Sequence, residues 1–173
     1  MQTLPDLHAG KLYLALVSRP LRRRIANAAI AHLALRGAVR VLDGGNHFDA
    51  HGIARALRLK TYRLTATLEH IQVSRAFTCY QVITLLSETP LTATPTLALD
   101  LLTTFYDQSV PRPERRRLLE ICLQELMRLC QRAVVLVTAL PGQDDPLLER
   151  LEVTADQTLR FELEEPQAPL RLF

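Results

Sequence analysis

Apolar residues fall along this chain in short runs that alternate with longer stretches of helical period. Leu12–Val17 (LYLALV), Val39–Asp43 (VRVLD), Ile71–Ser74, Thr96–Asp100 (TLALD) and Val134–Val137 are brief, bounded by polar or turn residues, and read as strands. Between them the period changes. Leu21–Arg36 sets Ile25, Ala28, Ala29, His32, Leu33 and Leu35 on a helical face, and Gly37 suits the position just past its end. Asp49 has the side chain to cap a helix that runs to about Arg58, with Ile53, Ala54 and Leu57 inward. Ala76–Glu88 and Glu114–Arg132 complete the helical set, and the latter has the strongest apolar stripe. Thr103–Pro113 reads as a loop and Pro141–Pro146 as a turn. Leu147–Val153, Gln157–Leu163 and Leu170–Phe173 read as a short helix and edge strands. Strands alternating with helices predict an α/β fold with a mainly parallel sheet covered on both faces.

The stretch VRVLDGGNHF anchors this expectation. Val39, Val41 and Leu42 run into Asp43, and Gly44 and Gly45 then free the backbone. Ligands of open α/β sheets sit just beyond the carboxyl ends of such strands. Asp43, Gly44, Gly45 and His47 are therefore one wall of any crevice. Residues 1–173 suffice for one domain with a sizeable core, and neither repeats nor a linker divide them. No apolar run is long enough to span a bilayer, so no membrane partner is expected. The start, MQTLPDLHAGK, lacks the layout of a secretory signal, and the expected location is the cytoplasm.

Composition adds one bias. The net charge is +3 and the pI about 9.0, which permits nucleic-acid binding without requiring it. Lys11 and Lys60 are the only lysines, so the basic side chains are almost all guanidinium groups, suited to phosphate and carboxylate. An arginine-favouring codon bias would give the same composition. Arg19, Arg22, Arg23 and Arg24 crowd the start of the first helix, where cations oppose the helix dipole and where an anion would be welcome. Arg112, Arg115, Arg116 and Arg117 crowd the start of the helix at Glu114. A phosphate or nucleic-acid backbone accounts for both groups; so does a solvated helix end. His47, Asp49 and His51 have metal-competent side chains, but a helix capped by Asp49 would make the two histidines diverge. Cys79, Cys122 and Cys130 show no metal or disulfide spacing.

The order of elements resembles the ATPase core of RecA-type recombinases. LDGGNHF is similar to a strand of that family ending in Asp, a small residue and Glu. HIQVSRAFTCYQVITLL resembles its third strand and following helix. LALDLLTTFYD resembles its Walker B strand, which places Asp100 at the magnesium position. VVLVTALPG is similar to the strand that the family ends in Thr-Asn-Gln, and TADQTLRFEL resembles its closing β-ribbon. The resemblance covers most of the chain. It implies a three-layer α-β-α RecA-like P-loop NTPase fold with an antiparallel C-terminal extension.

The departures from the family pattern are chemical. A P-loop uses glycines to wrap phosphates, a Lys to reach them and a Ser/Thr for magnesium. The segment in that place is Ser18-Arg19-Pro20-Leu21-Arg22-Arg23-Arg24. The family's catalytic Glu falls on Gly45, and its sensing Gln falls on Leu140. Asp100 is the Walker B remnant. The family's DNA-binding loops correspond to 103–113 and 141–146, the second very short. The expectation is a non-catalytic domain without cofactor or metal. It would be an accessory or regulatory binding protein in DNA repair or recombination, contacting a partner ATPase or nucleic acid, with self-association compatible. Two other classes stay open: a protein–protein inhibitor of the cell-division-inhibitor type, and a divergent ATP-binding protein.

Overall fold

The computed structural model describes residues 5–142 and 144–162. Six strands form one sheet: β1 (Leu12–Val17), β2 (Val39–Asp43), β3 (Ile71–Arg75), β4 (Thr96–Leu99), β5 (Val135–Ala139) and β6 (Gln157–Phe161), in the order β3-β2-β4-β5-β1-β6. Every neighbouring pair is parallel. Six helices connect them: α1 (Arg22–Ala34), α2 (Ala50–Arg58), α3 (Leu64–Glu69), α4 (Cys79–Glu88), α5 (Arg112–Cys130) and α6 (Pro146–Thr154). Among the described residues no helix is long and apolar enough to cross a membrane.

Two cores explain the apolar runs. Leu12, Leu14 and Leu16 of β1 face one side with Val82 and Leu86 of α4, Cys122 and Leu126 of α5, and Leu148 and Leu151 of α6. Tyr13, Ala15 and Val17 face the other, with Ile25, Ala29 and Ile30 of α1 and Ile53 and Leu57 of α2. A strand covered on both faces must be apolar at every position, which is why β1, β4 and β5 read as unbroken runs. β3 lies at the sheet edge. Its positions are mostly exposed, so its apolar signal was short; it runs from Ile71 to Arg75, and α3 ends just before it at Glu69.

The expected antiparallel extension is corrected. β6 pairs parallel with β1, from Tyr13 opposite Gln157 to Val17 opposite Phe161. α6 carries the chain back to the amino edge, and Asp156 starts the next strand beside the start of β1. Asp156 Oδ2 accepts the Leu12 amide at 2.7 Å, and its own amide donates to the Leu12 carbonyl at 2.9 Å. A strand launched from that edge can only run parallel. Leu170–Phe173, expected as a further edge strand, lies outside the described residues.

The expected loop at 103–113 is also corrected. Leu101–Tyr106 is a 3-10 helix, and α5 already begins at Arg112. Phe105 carries the segment inward and is fully buried among the α4 and α5 side chains. The Asp49 cap is present: its Oδ1 accepts the Gly52 amide at 3.0 Å, while its Oδ2 accepts Asn27 Nδ2 at 3.2 Å and so ties α2 to α1. A Cβ at Gly52 would lie closer to Asn27 Nδ2 and Asp49 Oδ2 than real Cβ contacts, so the Asn27–Asp49 hydrogen bond as it stands leaves no room for a side chain there.

Phe105→Ala should cost about 3–5 kcal/mol of stability, read from urea unfolding midpoints. A loss below about 1 kcal/mol would mean that the 3-10 segment is not anchored in the core.

Candidate functional site

Three chain segments meet at the carboxyl edge of the sheet. The first is the turn after β2. Asp43 is 1% exposed, and its two oxygens accept the amides of His47 and Phe48, both at 2.9 Å. Arg75, in register with Asp43 on β3, approaches it with Nε at 3.7 Å. The Gly44 amide donates to the Leu99 carbonyl at 3.0 Å, which carries the β2–β4 pairing one step beyond the strands.

The second is the end of β4. Asp100 is 4% exposed and adopts a left-handed backbone with φ of 48°. Among side-chain-bearing residues, Asp and Asn tolerate that region best. Its amide donates to Thr138 Oγ1 of β5 at 2.9 Å. The third is the start of α1. Arg22 reaches across and places Nη1 3.1 Å from Asp100 Oδ2, while His47 Nε2 lies 3.5 Å from the same oxygen.

Gly45 makes this convergence sterically possible. A Cβ there would sit 2.7 Å from Asp100 Cβ and 2.6 Å from His47 Cδ2, closer than real Cβ contacts. The next residue, Asn46, is left-handed with φ of 54°. The space that a longer side chain at position 45 would need is filled by Asp100 and His47. Burial raises the Asp100 carboxyl above the ordinary range. The nearby charges of Arg22 and His47 pull it down, and Asp43 adds to the upward push.

The remaining sequence candidates separate into two groups on opposite layers. Arg19, Arg23 and Arg24 stand exposed at the start of α1, without an ion-pair partner among the described residues. Ser18 Oγ is buried there without a hydrogen-bond partner. Arg115 and Arg116, with Arg112, line a cleft of about 320 Å³ beside Tyr106, Asp144 and Asp145. Asp145 caps α6 through the Leu147 amide at 3.0 Å and accepts the Tyr106 hydroxyl. Arg117 is paired with Glu114 at 2.7 Å. α1 covers one face of the sheet and α5 the other, so the two arginine groups flank the same edge from either side.

His47, Asp49 and His51 do not converge. His47 turns to Asp100, Asp49 caps α2, and His51 is exposed on α2. Among the described residues no group of three or more His, Cys, Asp or Glu is placed to hold a metal ion. Reading the sequence missed Arg75 and Thr138 as members of the site. The signal for Arg75 was its place as the last residue of β3, beside the last residue of β2; for Thr138 it was a lone hydroxyl in an apolar run. No protein-family model matches this chain, and no curated protein matches it.

The raised Asp100 carboxyl carries a sign. Between its unfolded value and its higher folded value, the native state holds a proton that the unfolded chain has lost, so this group's contribution to stability falls as pH rises. Wild type should therefore lose stability relative to Asp100→Asn as the pH rises from about 4, measured by urea midpoints at successive pH values. A difference that does not vary with pH would show that Asp100 titrates normally.

Proposed function

We propose that this chain is a non-catalytic RecA-like domain. It acts as an accessory or regulatory binding protein in DNA repair or recombination, contacting a partner ATPase or nucleic acid. The observation that supports it most is the Arg22–Asp100 bridge. A P-loop after β1 and a magnesium-holding Asp after β4 would face each other across β5. The gap between such strands, two sheet spacings or roughly 10 Å, is where the phosphates would lie. In this chain Arg22 spans it and takes the carboxylate for itself. Phosphoryl transfer depends almost wholly on positioned charges and metal, and the positions at Gly45 and Leu140 offer neither a base nor a sensor.

Binding at the rim remains. Arg19, Arg23, Arg24, Arg112, Arg115 and Arg116 surround the edge as forked donors suited to phosphate or carboxylate. Phe77, Tyr80 and Tyr106 expose 68%, 49% and 45% of their surface where β3 and β4 lead into α4 and the 3-10 helix. Aromatic and arginine side chains together are the usual anchors of protein interfaces, which supports the partner-ATPase side of the proposal.

ATP with magnesium should give no turnover and leave the melting temperature unchanged. A nucleotide-dependent rise lost in Asp100→Ala would favour a divergent ATP-binding protein. Replacing Arg23, Arg24, Arg115 and Arg116 by Ala should leave folding intact. It should weaken binding to single-stranded DNA or to the partner, with the salt slope on DNA falling by about 0.7 for each phosphate contact removed. A wild-type chain with no polyanion affinity would shift the reading to a protein–protein inhibitor.

A further inference from the structure

The loop between α2 and α3 lies at the other end of the molecule. α1 and α2 both leave the carboxyl edge and end at the amino edge, where His70 Nδ1 meets the Ala34 carbonyl at 2.8 Å and joins the ends of α3 and α1. Leu59 and Tyr62 project from this loop, 86% and 91% exposed. Most large apolar side chains here are buried, so the two stand out. Around them are Arg55, Arg58, Lys60 and Arg63, all exposed. Residues 50–68 contain no Asp or Glu.

These four cations differ from one set of surface bases and, in lacking an ion pair among the described residues, are like Arg19, Arg23 and Arg24 at the carboxyl edge. Arg117, Arg128, Arg150 and Arg160 each hold a carboxylate. Arg55, Arg58, Lys60 and Arg63 hold none among the described residues. Arg55 and Arg58 favourably oppose the α2 dipole at its carboxyl end. That account does not extend to Lys60 and Arg63, which lie beyond the helix. Arg63 lies over the Tyr62 ring at 5.7 Å from its centroid, a cation–π contact that leaves the opposite ring face open. Arg36 extends the basic surface. It and Lys60 both lie near enough to His32 to help burial, the larger cause, hold that imidazole below its ordinary range, against an upward pull from Asp6.

From this arrangement we infer that the Leu59–Arg63 loop is a binding surface for single-stranded nucleic acid. Tyr62 stacks on an unpaired base, and Lys60, Arg63, Arg58 and Arg55 contact the phosphates. The charge complements a polyanion, and an aromatic among cations is the chemistry by which single strands are held without sequence preference. A duplex offers no free base face to a ring at a loop tip. One Leu and one Tyr give little apolar area for a bilayer. This surface is at the edge opposite the crevice, and it does not depend on the function proposed above.

Fluorescence anisotropy with fluorescein-labelled oligothymidylate and oligouridylate of about 20 nucleotides tests it on the full chain at low salt. Tyr62→Ala should weaken binding roughly 5- to 150-fold, and Tyr62→Phe should restore it. Lys60→Ala with Arg63→Ala should lower the salt slope by about 1.4. These factors should hold in full in a background with Arg23, Arg24, Arg115 and Arg116 also replaced by Ala, where the loop binds alone, which separates this surface from the carboxyl edge. Because the side chains are exposed, melting temperatures should match wild type. Loop variants with unchanged affinity and slope would overturn the inference, as would a wild-type chain that binds neither oligomer. Binding instead to phosphatidylserine vesicles, abolished by Tyr62→Ala, would overturn it in favour of a membrane surface.

Discussion

A carboxylate cut off from water sets the arrangement of the carboxyl edge. Asp100 loses most of its hydration at the end of β4, and an ionised group so placed needs a partner. Arg22 supplies one from the start of α1, with His47 beside it. Each neighbour then has a defined task. Thr138 holds the Asp100 amide, and Gly45 leaves the room that the left-handed turn there requires. Asp43 does the same work one strand away by gathering the amides of His47 and Phe48, which holds the His47 ring where it meets Asp100. The site is a chain of local constraints, each forced by burial of the next polar group.

Much of this fold was legible because a doubly covered parallel sheet writes itself as unbroken apolar runs. β1 and β2 appear at the expected bounds, and β4 and β5 shift by a residue or so. β3 was harder because an edge strand needs little apolar surface. The 3-10 helix at Leu101–Tyr106 looked like a loop because its threonines masked a single deeply buried ring, Phe105. The direction of β6 could not be read from its own residues, since it is set by the return of α6 and by Asp156. In the site, Asp43 and Asp100 were visible as carboxylates at strand ends. Their partners were not, because a register that places Arg75 beside Asp43 is tertiary information.

Charge separates the surface into regions with different physics. Arg117 and Arg128 of α5, Arg150 of α6 and Arg160 of β6 pair with carboxylates on the same or adjacent elements, and such exposed pairs contribute little to stability. Their effect is to cancel the local field. At the start of α1 and around the α2–α3 loop the positive charge is not cancelled in this way. A net charge of +3 therefore understates the contrast, because it averages neutral and strongly positive regions.

The Arg22–Asp100 bridge also opposes a cation at the end of β4. For a magnesium ion to use Asp100, Arg22 would have to withdraw and the carboxyl, raised by burial, would have to ionise without it. Arg22 is partly exposed and can turn to water at small cost, so the barrier does not lie in the arginine. It lies in Asp100, which in losing the guanidinium would more readily take up a proton than remain a buried lone anion. Nor would the backbone help, since Pro20 removes an amide and no glycine lies between β1 and α1 to wrap a phosphate. A site closed by one movable side chain would be gated; this one is closed by the chemistry left behind when that side chain moves.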